Sequence, residues 1–152
     1  MSDSLTSKEV DPMLDKKHKR PRILIVDDEQ TLRDVWQEVL AEEGYEVETV
    51  ESPEHALLVL ENERFDLVLL DEVFKAGPFD GLDTFRKVRG LFHTLPVIMM
   101  TGYSDVEESI AQAVQEGAYR QVIKKPSTIA EITGIVSDCL LESKKDEDAE
   151  VS

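Results

Sequence analysis

The chain has a single cysteine, Cys139, so it can form no internal disulfide and build no multi-cysteine zinc cluster. Set among apolar residues at helical spacing, Cys139 is expected to be a small core side chain. No apolar run approaches the roughly 20 residues a helix needs to cross a bilayer. The opening stretch MSDSLTSKEVDPMLDKKHKR also lacks the apolar core of a signal peptide. A soluble, cytoplasmic protein that makes no membrane contact is expected. Bases are scarce, 17 against 33 acids, for a formal charge of −16. Such a chain as a whole is repelled by DNA and by anionic lipid, so no direct nucleic-acid binding is expected. The one basic run, KKHKRPR at 16–22, is short enough to be a solvated linker. No glycine-rich phosphate loop of the dinucleotide or nucleoside-triphosphate type is present. His18, His55 and His93 share no spacing with one another or with the acids, which leaves a histidine metal site or a serine triad without support.

What is present is one domain's worth of alternating pattern. With 152 residues, 41% of them hydrophobic, the chain can bury one proper core. Five short apolar runs, RILIV, YEVETV, DLVLL, PVIMM and QVI, are separated by segments of helical periodicity. Leu32, Val35, Trp36, Val39 and Leu40 predict the first helix, with Gly44 beyond its last turn. Ser52 before Pro53 marks the second, and Leu82, Phe85 and Val88 the third. Ser104 with Glu107, and Thr128 with Glu131, are capping boxes that open the fourth and fifth.

Five βα units in series predict an α/β fold, a doubly wound five-stranded parallel sheet with five helices on its two faces. The runs ILIV, LVLL and VIMM are apolar throughout, as strands buried on both faces are. YEVETV alternates apolar with acidic residues and belongs at an edge. Residues 1–20 are expected to be a flexible leading segment, 21–142 the domain, and the charged stretch 143–152 an acidic tail frayed beyond the last helix.

In such sheets ligands bind beyond the carboxyl ends of the strands. Strand 1 ends in Asp27 and Asp28, strand 3 in Asp71, strand 4 in Thr101, and strand 5 in Lys124 and Lys125 before Pro126. Three carboxylates brought together repel one another unless a cation sits among them, and an all-oxygen set suits Mg²⁺. Asp71 then fits a nucleophile toward phosphorus, Thr101 a hydroxyl donor to a phosphoryl oxygen, and a lysine a counter-charge. Glu29 and Glu72 are expected to be solvated or to face helix dipoles.

The segments ILIVDDEQ, DLVLLD, DGLDTFRKVR, PVIMMTGYSD and VIKKP, in this order and spacing, resemble the receiver domain of two-component response regulators. The resemblance implies a flavodoxin-like fold with strand order 2-1-3-4-5. It implies a phosphorylation-dependent switch that accepts a phosphoryl group from a sensor histidine kinase or phosphotransfer protein, with Mg²⁺, and hydrolyses it slowly: a phosphoacceptor, and not an enzyme in the usual sense. Asp71 matches the acceptor. Asp27 and Asp28 match the acidic pair, with Asp28 a direct metal ligand and Asp27 acting largely through water. The backbone carbonyl of Val73 would be a further ligand, Thr101 the switch hydroxyl, and Lys125 the phosphate-pairing lysine.

Two departures stand out against that pattern. Lys75 occupies the place of a usual proline in a loop about two residues longer, and Val122 stands where an aromatic is common. Tyr103 and Tyr119 are the candidates for the missing aromatic. The family implies a downstream protein target on the strand 4, helix 4, strand 5 face, and homodimers often form there. The alternative expectation is a constitutive interaction module with impaired or retuned phosphorylation. A phosphohydrolase would need an acid at Val73. No output domain is expected after residue 142, which implies a stand-alone regulator or a piece of a longer one.

Overall fold

The computed structural model describes residues 20–72, 81–102, 107–125 and 127–151, without the side chains of 107 and 145–151. Ten elements follow in order: β1 (Arg22–Val26), α1 (Gln30–Glu42), β2 (Glu46–Val50), α2 (Pro53–Asn62), β3 (Leu67–Asp71), α3 (Gly81–Leu91), β4 (Val97–Thr101), α4 (Glu107–Gln115), β5 (Ile123–Lys124) and α5 (Ile129–Val151). The sheet is wholly parallel, in the order β2-β1-β3-β4-β5. Five strands, five helices and an outermost β2 are what the patterning predicts. Every residue of β3 and β4 is buried, whereas β2 exposes Glu46 and Glu48 in alternation.

Strand alternation divides the core in two. On one face Leu24, Val26, Val68, Leu70, Val97 and Met99 pack under α2, α3 and α4, with Phe85 at the centre. On the other, Ile23, Ile25, Leu67, Leu69, Ile98 and Met100 pack under α1 and α5 through Trp36, Leu40, Ile132, Val136 and Cys139. Each fully buried Leu or Ile contributes about 1.5–3 kcal/mol relative to exposure. The sheet is thus a stiff platform, and its strand ends are held in place by both layers.

Helix ends follow local chemistry. Gly44 (φ 98°) and Gly117 (φ 121°) adopt the left-handed conformation that closes α1 and α4. In each case the next residue's N–H turns back into the helix: Tyr45 donates to the Leu40 carbonyl and Ala118 to that of Ala113. The Ser52 hydroxyl accepts from the His55 N–H, with Pro53 at the first helical position of α2. Thr128 and Glu131 satisfy each other's N–H groups at the entry to α5. The other expected capping box, at Ser104, lies outside the described residues.

Two expectations need correction. Val35, counted on the buried face of α1, is 48% exposed, because the stripe that meets the sheet is narrower and centres on Trp36 and Leu40. The segment after 142, expected as a frayed tail, continues α5 as helix to Val151. Glu, Lys, Asp and Ala extend a helix already nucleated by a packed face, and no glycine or proline stops it.

Candidate functional site

Beyond the carboxyl edge of the sheet, β1 and β3 run side by side, and the crossovers from them leave on opposite faces. The ladder continues one residue past β1, where the Asp27 N–H donates to the Val50 carbonyl, so the aspartate is carried as rigidly as the strand. The residue is almost fully buried, at 1% exposure, and Oδ1 accepts from the Glu29 N–H at 2.9 Å. Asp71, the last residue of β3, is 4% exposed. Asp28, half-buried, completes a set in which one carboxylate oxygen each from Asp27, Asp28 and Asp71 lies within 4.8 Å of the others.

Lys125 follows β5, and its Nζ donates to Asp27 Oδ2 at 3.0 Å while lying 3.3 Å from Asp71 Oδ1. Glu29 Oε1 is more distant, at 3.9 Å. Burial works against the Lys125 charge, but the carboxylates of Asp71 and Asp27 outweigh it and raise the ammonium above its ordinary range. Lys124, its neighbour, points outward and is exposed, as strand alternation predicts. Thr101 ends β4 in a buried position, and its carbonyl accepts from the Lys125 N–H at 2.7 Å. Four strand ends therefore bring together the five residues singled out from sequence: Asp27, Asp28, Asp71, Thr101 and Lys125.

The other candidates divide. Val73 and Tyr103 lie outside the described residues. Tyr119 is not at the site. Its N–H donates to the carbonyl of Val97, the first residue of β4, whereas Thr101 is the last. Its ring packs on the α1–α5 side of the core, and its hydroxyl donates to Glu142 at 2.9 Å. Burial, then Glu142, pushes that phenol up to about 12. Tyr119 is a packing residue, because the chain crosses the bottom of the sheet before β5 begins. A cleft of about 460 Å³ opens at that same end, but its charged lining is engaged elsewhere. Arg89 there donates to the carbonyls of Phe92, His93, Leu95 and Gly117, and Glu142 holds Arg120 as well as Tyr119.

Two residues at the carboxyl edge escaped the patterning. Arg33, one turn into α1, donates to the Asp27 carbonyl at 2.6 Å and so holds the turn that carries the acidic pair. Glu72, expected to be solvated or to face a helix dipole, is 2% exposed and accepts from the Leu82 N–H at 3.1 Å, so only the dipole half of that expectation stands. Its place straight after a fully apolar strand was the one signal that it would be buried.

Comparison with known proteins agrees with the fold. The family model for the response regulator receiver domain matches residues 23–137. The C4-dicarboxylate transport transcriptional regulatory protein DctD of Rhizobium meliloti is 34% identical over 68% of this chain and 22% of its own length. The transcriptional regulatory protein GlrR of Escherichia coli is 31% identical over 83% of this chain and 28% of its own. The chain thus spans about a quarter of the length of these relatives. Among solved structures, a CheY-like receiver domain protein from Methanospirillum hungatei is 32% identical, with a TM-score of 0.77 over 84% of this chain and 99% of that one. NtrX from Brucella abortus is 29% identical, with a TM-score of 0.80 over 85% of this chain and 29% of its own.

Proposed function

The chain belongs to the response regulator receiver family, the phosphorylation-dependent switches of two-component systems, and from that premise we propose that Asp71 is its phosphoacceptor. The observation that carries this reading is the partly buried Lys125 ammonium, 3.0 Å from Asp27 and 3.3 Å from Asp71, beside a third carboxylate. So much desolvated negative charge on rigid strand ends is costly unless a cation and a phosphoryl group use it.

The donor set is all oxygen, and it fits Mg²⁺ better than a softer metal. Asp28 and Asp71 would hold the ion directly, Asp27 largely through water, and the Val73 carbonyl would add a further ligand. When bound, the ion offsets the negative charge on the phosphoryl oxygens. An Asp71 carboxylate oxygen attacks phosphorus. A P–O bond forms as the P–N bond to the donor's histidine breaks, and the imidazole leaves with the electron pair. Lys125 exchanges its contact with Asp71 for one with the transferred group, and the Thr101 hydroxyl donates to a phosphoryl oxygen. Attack of water on the same phosphorus later returns the Asp71 carboxylate and inorganic phosphate.

Residues 21–142 form the receiver unit in this reading. The donor is a sensor histidine kinase or phosphotransfer protein, and the output is a protein target, or a second copy, on the β4-α4-β5 face. Of the two tyrosines, Tyr103 alone stays a candidate for the missing aromatic. The test is intact mass after incubation with a small acyl phosphate, with and without Mg²⁺. One phosphoryl group gained only with Mg²⁺, and none in Asp71→Asn, is expected. No gain in folded protein would put the constitutive module first instead.

A further inference from the structure

We propose that Glu72 is a positioning residue for phosphoryl transfer, tying the end of β3 to the first turn of α3 so that Asp71 is held on target; this rests on the reading of Asp71 as acceptor. Among the described residues, three bonds converge on Glu72. Its N–H donates to the Met100 carbonyl of β4 at 2.9 Å, and its carbonyl accepts from the Gly81 N–H at 2.8 Å. Its Oε1 accepts from the Leu82 N–H at 3.1 Å. A carboxylate at 2% exposure is expensive to bury, and the Leu82 N–H and the positive dipole end of α3 help to offset that cost.

The two elements are also in backbone contact. A side chain at Gly81 would put its Cβ 2.5 Å from the Glu72 Cα and 2.6 Å from the Asp71 carbonyl oxygen, so α3 begins directly against the acceptor's own peptide. Only glycine permits that approach. Residues 72 and 81 are therefore neighbours, and the tie between them fixes the place of Asp71 whatever length of chain joins them. Glu72, one residue past β3 and still bonded to β4, serves α3 while Asp71 faces Lys125. A nucleophile displaced by about 1 Å can lose about 100-fold in rate, which makes such a tie consequential.

The test compares the full chain with Glu72→Gln and Glu72→Ala. It reads the maximal rate of Mg²⁺-dependent phosphoryl uptake from a small acyl phosphate, the donor concentration at half that rate, and Mg²⁺ affinity by calorimetry. Glu72→Ala should lower the maximal rate about tenfold or more with half-saturation little changed. Glu72→Gln, whose carbonyl still accepts from Leu82, should stay within about threefold of the parent. Should Glu72→Ala not fold, Glu72→Leu keeps the bulk and removes the acceptor, with the same slowing expected. A parent rate in Glu72→Ala or Glu72→Leu, or a Gln variant as slow as Ala, would overturn the tie. If the unsubstituted chain takes up no phosphoryl group, the acceptor reading fails instead. Mg²⁺ affinity then decides the tie, with about fivefold weakening in Glu72→Ala expected and equality overturning it.

Discussion

The two ends of the sheet are both rich in charge and put it to different uses. At the amino end, Arg22 pairs with Glu63 at 2.7 Å and Glu46 at 3.4 Å and lies over the Phe65 ring, while Arg120 pairs with Glu142. These acidic partners keep 41–53% of their side-chain surface exposed, so water carries much of the charge. At the carboxyl end, the side chains of Asp27 and Asp71 keep 2% and 6%, and Lys125 12%. Acids outnumber bases in both places. Desolvation separates them: exposed pairs are worth little in energy, whereas a buried surplus of like charge stores electrostatic energy that a ligand cation can release.

The largest expected effect comes from removing the cation at the buried end. Lys125→Met removes the ammonium that lies between Asp27 and Asp71 and should cost about 3 kcal/mol of stability in chelator. Added Mg²⁺ should raise the melting temperature of this variant more than that of the parent; an equal rise would break the contrast between the ends. Gly81→Ala forces the α3 start away from Asp71 and should cost about 1–3 kcal/mol by urea unfolding, with slower phosphoryl uptake. Asp28→Ala sharpens the comparison in the other direction. It should weaken Mg²⁺ binding by about tenfold or more in calorimetry while leaving metal-free stability equal to the parent's or slightly higher, because a half-buried like charge has been removed.

At the exposed end, Arg22→Ala should cost about 1 kcal/mol and leave phosphoryl uptake as it was. The smallest effect is expected at a second surface pair. Arg86 and then Gln112 hydrogen-bond Glu116 and hold its carboxyl down at about 2, against an ordinary 4.5. A lowered folded-state value stabilises the fold above the unfolded value and loses that contribution as pH falls toward about 2. The melting curves of the parent and Arg86→Ala should therefore differ at pH 7 and converge in acid. A difference that persists at low pH would assign Arg86 to packing instead.

Much of the fold was legible because parallel strands announce themselves locally. Continuous apolar runs marked β1, β3 and β4, and alternation in Glu46–Val50 put β2 at the edge, since burial on one or two faces leaves different patterns. The choice of Lys125 over Lys124 was legible for the same reason. Val35 was not, because a helix stripe drawn from spacing cannot tell how much of it the sheet covers. Tyr119 was not either, since its position depends on where β5 begins. Arg33 and Glu72 bond to main-chain groups, which carry no side-chain signature for a pattern to detect.

The sequence by itself determined the five βα units, the place of β2, and which residue types stand at the strand ends. These follow from periods of two and 3.6 residues and from caps within a few positions of one another. Tertiary structure alone decided the pairing of Lys125 with Asp27, 98 positions away, the burial of Glu72 against α3, and the diversion of Tyr119 to Glu142. Those contacts join elements distant along the chain, and only the closed sheet, with its order β2-β1-β3-β4-β5, makes them neighbours.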